Sequence, residues 1–204
     1  GRTEVRQAGD VRSLYCTNPD CQAKRIKSFS LFVSRDALNI DGLSEATLEK
    51  FIGAGFIKEF ADIFHLDRYE ETITQMEGFG QKSYDNLIRA TEAASHTTLA
   101  RMVYGLGISG IGLANAKMLC RKFKFDFDRM RHATAEELVE VDGIGAVLAD
   151  AWIRYFADEK NQETVDHLLS ELTFEQEEES AEEAVFEGMT FVITGSVEHF
   201  ANRN

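Results

Sequence analysis

Four glycine-centred turns recur along this chain and limit what it can fold into. They are "IDGLSEATL" (40–48), "MEGFGQKSY" (76–84), "ISGIGLANA" (108–116) and "VDGIGAVLA" (141–149), with first glycines at 42, 78, 110 and 143. The intervals of 36, 32 and 33 residues mark a repeated supersecondary unit. Helical solenoids have similar periods, but their signatures are not built around Gly-x-Gly. The intervals suit a unit of helix, tight turn, helix and connector.

Helix signals surround the turns. After the fourth, Ile144, Val147, Leu148, Ala151, Trp152 and Tyr155 follow an i, i+3, i+4, i+7, i+8, i+11 pattern, which predicts an apolar stripe facing a core. After the third, Ile111, Ala114, Met118, Leu119 and Phe123 form another. "TAEE" (134–137) is a capping box, with Thr134 at the N-cap and Glu137 at N3. Asp67 is placed to cap a helix through "RYEETITQM". The helices are short and amphipathic, so each must bury its stripe against neighbours in one compact, mainly α domain over residues 31–172.

The 204 residues suffice for one good core with small appendages. A single Pro argues against a proline-rich linker, and no apolar run approaches the roughly 18 residues that a membrane span needs. The net charge of −13 is unevenly spread. From Glu171 onward there are nine acidic residues and one basic one, whereas residues 1–40 hold seven Lys/Arg against four Asp/Glu. Concentrating the acidity in one tail removes the simplest objection to a nucleic-acid partner. "FEQEEESAEEA" is expected to be a solvated linker (173–186), and "MTFVITG" a strand opening a further α/β unit over 187–204. Starting at Gly1 rather than Met points to a piece of a longer protein.

The glycine turns admit three explanations. The dinucleotide fingerprint G-x-G-x-x-G fails, because "GIGLAN" and "GIGAVL" lack the third glycine and no strand precedes either turn. A purely structural role is open: glycine permits φ > 0, and the apolar residue between the glycines (Phe79, Ile111, Ile144) plugs the core. The third explanation gains weight from repetition. Two glycines leave the backbone bare at the N-terminus of the following helix, where unpaired N–H groups in a positive dipole field suit a phosphate oxygen.

This pattern of helix, h-x-G-h-G and helix is the helix-hairpin-helix motif, and four in tandem resemble the DNA-binding domain of bacterial NAD-dependent DNA ligases. The flanks agree in order. "YCTNPDCQAK" looks like the second half of a four-cysteine zinc finger (1–30 here), and "EGMTFVITGSVE" is similar to the start of a BRCT domain. The resemblance implies a carboxy-terminal ligase fragment that holds nicked duplex DNA by its backbone phosphates, without reading sequence. Carried over by position, the contacts are Gly78 and Gly80, Gly110 and Gly112, and Gly143 and Gly145. Gln81, Lys82, Arg101 and Lys117 are nearby partners, although Lys82 and Lys117 equally suit ordinary solvated helix positions. The first turn departs from the pattern, with Ser44 where the second glycine would stand.

Cys16 and Cys21 have the spacing of a zinc loop, and the resemblance implies that two further cysteines lie upstream. Cys120, on a helical stripe, is expected to be a small buried hydrophobe. The resemblance also implies NAD and Mg in the parent enzyme, an adenylated lysine in K-x-D-G, partner adenylation and OB domains, and a cytoplasmic location. The nearest match to K-x-D-G, "KFDF" (124–127), lacks the glycine, so catalytic residues are not expected in this chain. In BRCT domains, positions matching Thr194 and Gly195 can bind phosphate; here a strand end is expected. Two alternatives stay open: a tandem-hairpin binder of repair or recombination junctions, and a helical protein-interaction domain.

Overall fold

The computed structural model describes residues 3–8, 11–18 and 21–175; the expected BRCT start at 187–204, most of the acidic segment, and Thr194 and Gly195 lie outside the described residues. A two-stranded antiparallel ribbon, β1 (Thr3–Ala8) and β2 (Val11–Cys16), opens the chain, with Thr3 opposite Cys16. Helices follow almost without interruption: α1 (Gln22–Phe32), α2 (Glu45–Gly53), a 3-10 segment (Phe60–Tyr69), α3 (Glu70–Ile73), α4 (Gln81–Ala94), α5 (Leu99–Gly105), α6 (Leu113–Lys122), α7 (Phe127–Arg131), α8 (Ala135–Val139), α9 (Ala146–Ala157) and α10 (Glu159–Glu171). The mainly α class inferred from the repeats is what the chain adopts.

One apolar cluster runs through the whole helical region, from Phe29 of α1 to Leu168 of α10. Phe32 stacks on Phe60 at 4.3 Å, and Trp152 packs against Phe156 at 5.0 Å. Helix α1 crosses the boundary expected near residue 31, because Phe29 and Phe32 both belong to this core. At the other end, β3 (His96–Thr97) and β4 (Thr173–Phe174) pair in parallel, so the start of the segment expected to be linker takes part in the fold. Helix α10 is tied back to the 3-10 segment and its N-cap. His65 Nε2 lies 2.9 Å from Glu171 Oε1, and His167 Nδ1 lies 2.9 Å from Glu59 Oε1.

Three local expectations change. Asp67 caps nothing: it lies inside the 3-10 segment, and the N-cap of the short α3 is Tyr69. The first turn is not led directly by a helix, since α1 ends at Phe32 and irregular backbone with Asn39 at φ 54° intervenes. The stripe on α9 is narrower than its sequence pattern, with Ala149, Trp152 and Phe156 as the buried positions while Val147 is 81% exposed. At about 100° per residue Val147 lies on the side of α9 opposite the line of Ala149, Trp152 and Phe156, so it faces outward. The capping box forms as expected: Thr134 Oγ1 accepts from Glu137 N–H at 3.3 Å, and Glu137 Oε2 accepts from Thr134 N–H at 3.0 Å. Cys120 is fully buried.

Candidate nucleic-acid interface

Each of the four turns separates its two glycine positions physically. The first position has positive φ in every copy: 93° at Gly42, 86° at Gly78, 80° at Gly110 and 76° at Gly143. L side chains resist that conformation, so a glycine is required there for the chain to reverse. In the last three copies the turn is closed by the same bond, with Phe79 N–H donating to Met76 O, Ile111 N–H to Ile108 O and Ile144 N–H to Val141 O. The residues between the glycines act as the expected plugs, Ile111 and Ile144 buried and Phe79 packed on the core edge.

The second position is different. Gly80, Gly112 and Gly145 are the N-caps of α4, α6 and α9, in extended backbone (φ −124°, −82° and −87°) that any residue adopts. A Cβ at any of the three would meet no atom within 4 Å. Neither conformation nor packing demands glycine at these sites. None of the three helices has a side-chain cap, and among the described residues no acceptor reaches the N–H groups of the first two helical residues. These are Gln81 and Lys82, Leu113 and Ala114, and Ala146 and Val147. Three bare helix N-termini thus face outward. The first hairpin differs in having a side-chain cap: Ser44 occupies the N-cap and its Oγ accepts from the N–H of Thr47, the third helical residue, at 3.2 Å.

The third and fourth hairpins interlock. A Cβ on Gly110 would collide with Leu148 Cδ2 of α9, and one on Gly143 would come within 3.1 Å of Met118 Cε and 3.5 Å of Asn115 Oδ1 of α6. Each turn therefore receives a side chain from the other's helix. Lys122 Nζ, at the end of α6, adds an ion pair to Glu140 Oε2 at 2.8 Å, and its hydrogen bond and charge hold the Glu140 carboxyl below its ordinary range. The two N-termini are consequently fixed relative to one another.

The structure sorts the expected polar partners. Lys82 is exposed and Lys117 half-buried beside its turn, and neither has a side-chain partner among the described residues. Gln81 is engaged: its Nε2 donates to Glu70 Oε1 at 3.0 Å and to Asp85 Oδ1 at 2.9 Å. Arg101 lies away from the turns as a strap, donating from Nε to Ala37 O at 2.7 Å and from Nη2 to Arg35 O at 2.6 Å. The residue before the first glycine also differs. It is acidic at Asp41, Glu77 and Asp142 but Ser109 in the third turn, so that turn offers an anion the least opposing charge.

Cys16 and Cys21 come together at the foot of the ribbon, both half-buried. Cys21 is the N-cap of α1, and its thiol is held below the usual range by the backbone N–H of Lys24 and then by the Cys16 side chain. Two adjacent thiols, one of them acidified, fit half of a tetrahedral zinc site. Among the described residues no group of three or more His, Cys, Asp or Glu is gathered to hold a metal. Nor is any described helix long and apolar enough to cross a membrane.

Two family models match the chain: a SAM-like helix-hairpin-helix tandem over residues 34–93, and the helix-hairpin-helix motif over 101–165. They cover the first and second pairs of turns. Among curated relatives, the DNA ligase of Lachnoclostridium phytofermentans is 53% identical over all 204 residues, and that of Ruminiclostridium cellulolyticum 49%. The DNA ligase of Thermosipho africanus is 38% identical over 189 residues, 92% of this chain. The chain spans 31% of the length of the first two relatives and 28% of the third.

Proposed function

We propose, for a chain that belongs with the bacterial DNA ligases over the stretch it spans, that it is the part of a ligase that grips nicked duplex DNA. Its role is to hold the duplex by backbone phosphates while a nick is sealed in replication and repair. The observation that carries this reading is the second glycine of three turns, which neither the backbone nor the packing requires. What it does is keep two N–H groups per helix open to a phosphate oxygen. In that position the N–H groups and the helix dipole act together, and a side chain at the N-cap would hold the phosphate off.

The contributions of the individual residues follow. Gly80, Gly112 and Gly145 admit the phosphates; Gly78, Gly110 and Gly143 turn the chain so that the N-termini project. Lys117 and Lys82 supply charge that is not spent within the protein. Such contacts orient the duplex and read no base, so binding is independent of sequence. No group here is assigned a bond-making role; the chemistry belongs to an adenylation domain using NAD and Mg, with an OB domain, in the same parent protein. Zinc, where Cys16 and Cys21 would provide two of four thiolates, would anchor the ribbon.

Fluorescence anisotropy with a labelled nicked duplex tests the reading. Two phosphates neutralised by Lys82 and Lys117 predict that log K falls with log salt with a slope of about −1.8. A folded chain that binds no duplex at low salt, or binds with an affinity indifferent to salt, would overturn it.

A further inference from the structure

The interlocked third and fourth hairpins present different surfaces. Around the third N-terminus stand Ser109, Asn115 and the unpaired Lys117, and the second helical residue is Ala114. The fourth hairpin has no unpaired cation among its described residues: Arg154, on α9, is held by Asp150 at 2.7 Å. Its second helical residue is Val147, the most exposed large apolar side chain described, at 81%. Val139 and Ile153, at 47% and 37% exposed, lie on the same two helices, so three of the five exposed large hydrophobic residues described belong to this hairpin.

This distribution is asymmetric in a pair whose backbones are arranged alike. A β-branched residue in an exposed first turn contributes nothing to helix propensity or to the core. Its apolar area is stabilising only when something covers it. A phosphate held by the N–H groups of Ala146 and Val147 would lie beside the exposed Val147 side chain, and its attached sugar would be the neighbouring group available to cover the methyls. In DNA that sugar edge is apolar at C2′, whereas in RNA it carries a hydroxyl. We infer that Val147 is a specificity-determining residue that packs on the sugar next to the phosphate of the fourth hairpin and favours deoxyribose over ribose there. The inference rests on the DNA-gripping reading above. It divides the labour: the third hairpin contributes charge, the fourth contributes backbone N–H groups and an apolar sugar contact.

The test uses the 204-residue chain, its Val147→Ser and Lys117→Ala variants, a nicked DNA duplex and a DNA–RNA hybrid of the same sequence. Because Val147 is exposed, Val147→Ser should melt with the parent, and circular dichroism checks this. The expected result is a loss of about fivefold in affinity for DNA, the size of one apolar side-chain contact, with the salt slope unchanged. The preference for DNA over the hybrid should shrink by a similar factor, since the hybrid loses little. Lys117→Ala should instead lower the salt slope by about one and leave the preference intact. Undiminished DNA binding by Val147→Ser, or an equal loss on both duplexes, overturns the inference while the DNA-gripping reading stands. If the parent chain binds neither duplex, or binds without salt dependence, that broader reading falls and this one with it.

Discussion

Gly110 and Gly112 stand one residue apart and answer to different forces. At Gly110 the backbone is left-handed and Leu148 lies where a Cβ would go; at Gly112 the backbone is ordinary and the space is open. Gly110→Ala should therefore cost about 1–3 kcal/mol in denaturant unfolding, from strain and overpacking together. Gly112→Ser copies what the first hairpin does at Ser44. It should raise stability by no more than about 0.5 kcal/mol through the new cap, yet weaken duplex binding, because the added side chain stands where the phosphate must approach. If Gly112→Ser bound DNA as tightly as the parent, the open N-terminus would have no part in the grip. At Cys21, the depressed thiol pKa means more thiolate at a given pH. Iodoacetamide should consequently alkylate Cys21 at a lower pH than it does a free cysteine peptide.

Among the elements, the fixed relation of α6 and α9 depends on contacts that no single hairpin contains. Leu148→Ala would clear the space above Gly110, so it should soften the penalty of Gly110→Ala. The double variant is expected to be more stable than the sum of the singles by about 1 kcal/mol, with the residue left by positive φ. Strict additivity would mean that the interlock carries no coupling. The capping box at the start of α8 is simpler, because both of its bonds are local. Thr134→Ala should cost about 1 kcal/mol by chemical denaturation. The capping box and the turns were legible in the sequence because their hydrogen bonds join residues three apart. The exposure of Val147 was not: periodicity placed it on the core stripe, whereas the face that α9 buries runs through Ala149, Trp152 and Phe156 on the opposite side. Nor was the engagement of Arg101 legible, since its two carbonyl partners lie more than 60 residues away.

For the whole molecule, one continuous core joins the two pairs of hairpins, and α10 is bound back to the 3-10 segment of the first pair. A single cooperative unfolding transition is expected as a result. The acidic segment belongs to this scale too. Residues 176–204 carry seven acidic residues and one arginine, and deleting them keeps the β3–β4 pairing that Thr173 and Glu175 complete. The truncated chain should bind duplex more tightly than the full chain at low salt and lose that advantage as salt screens the tail. Equal affinity at low salt would remove the tail from the account.

The sequence by itself determined the repeat, the helical class, the reversals at the first glycines and the odd standing of Ser44. All of these follow from interactions between residues a few positions apart, which a linear pattern records. Tertiary structure alone decided that the second glycines are free of any structural demand, that Leu148 and Met118 lock one hairpin to the other, and that Gln81 and Arg101 are occupied within the protein. It also decided that Val147 faces outward. Each of these depends on which atoms distant in sequence arrive at the same place, and no local spacing encodes that arrival.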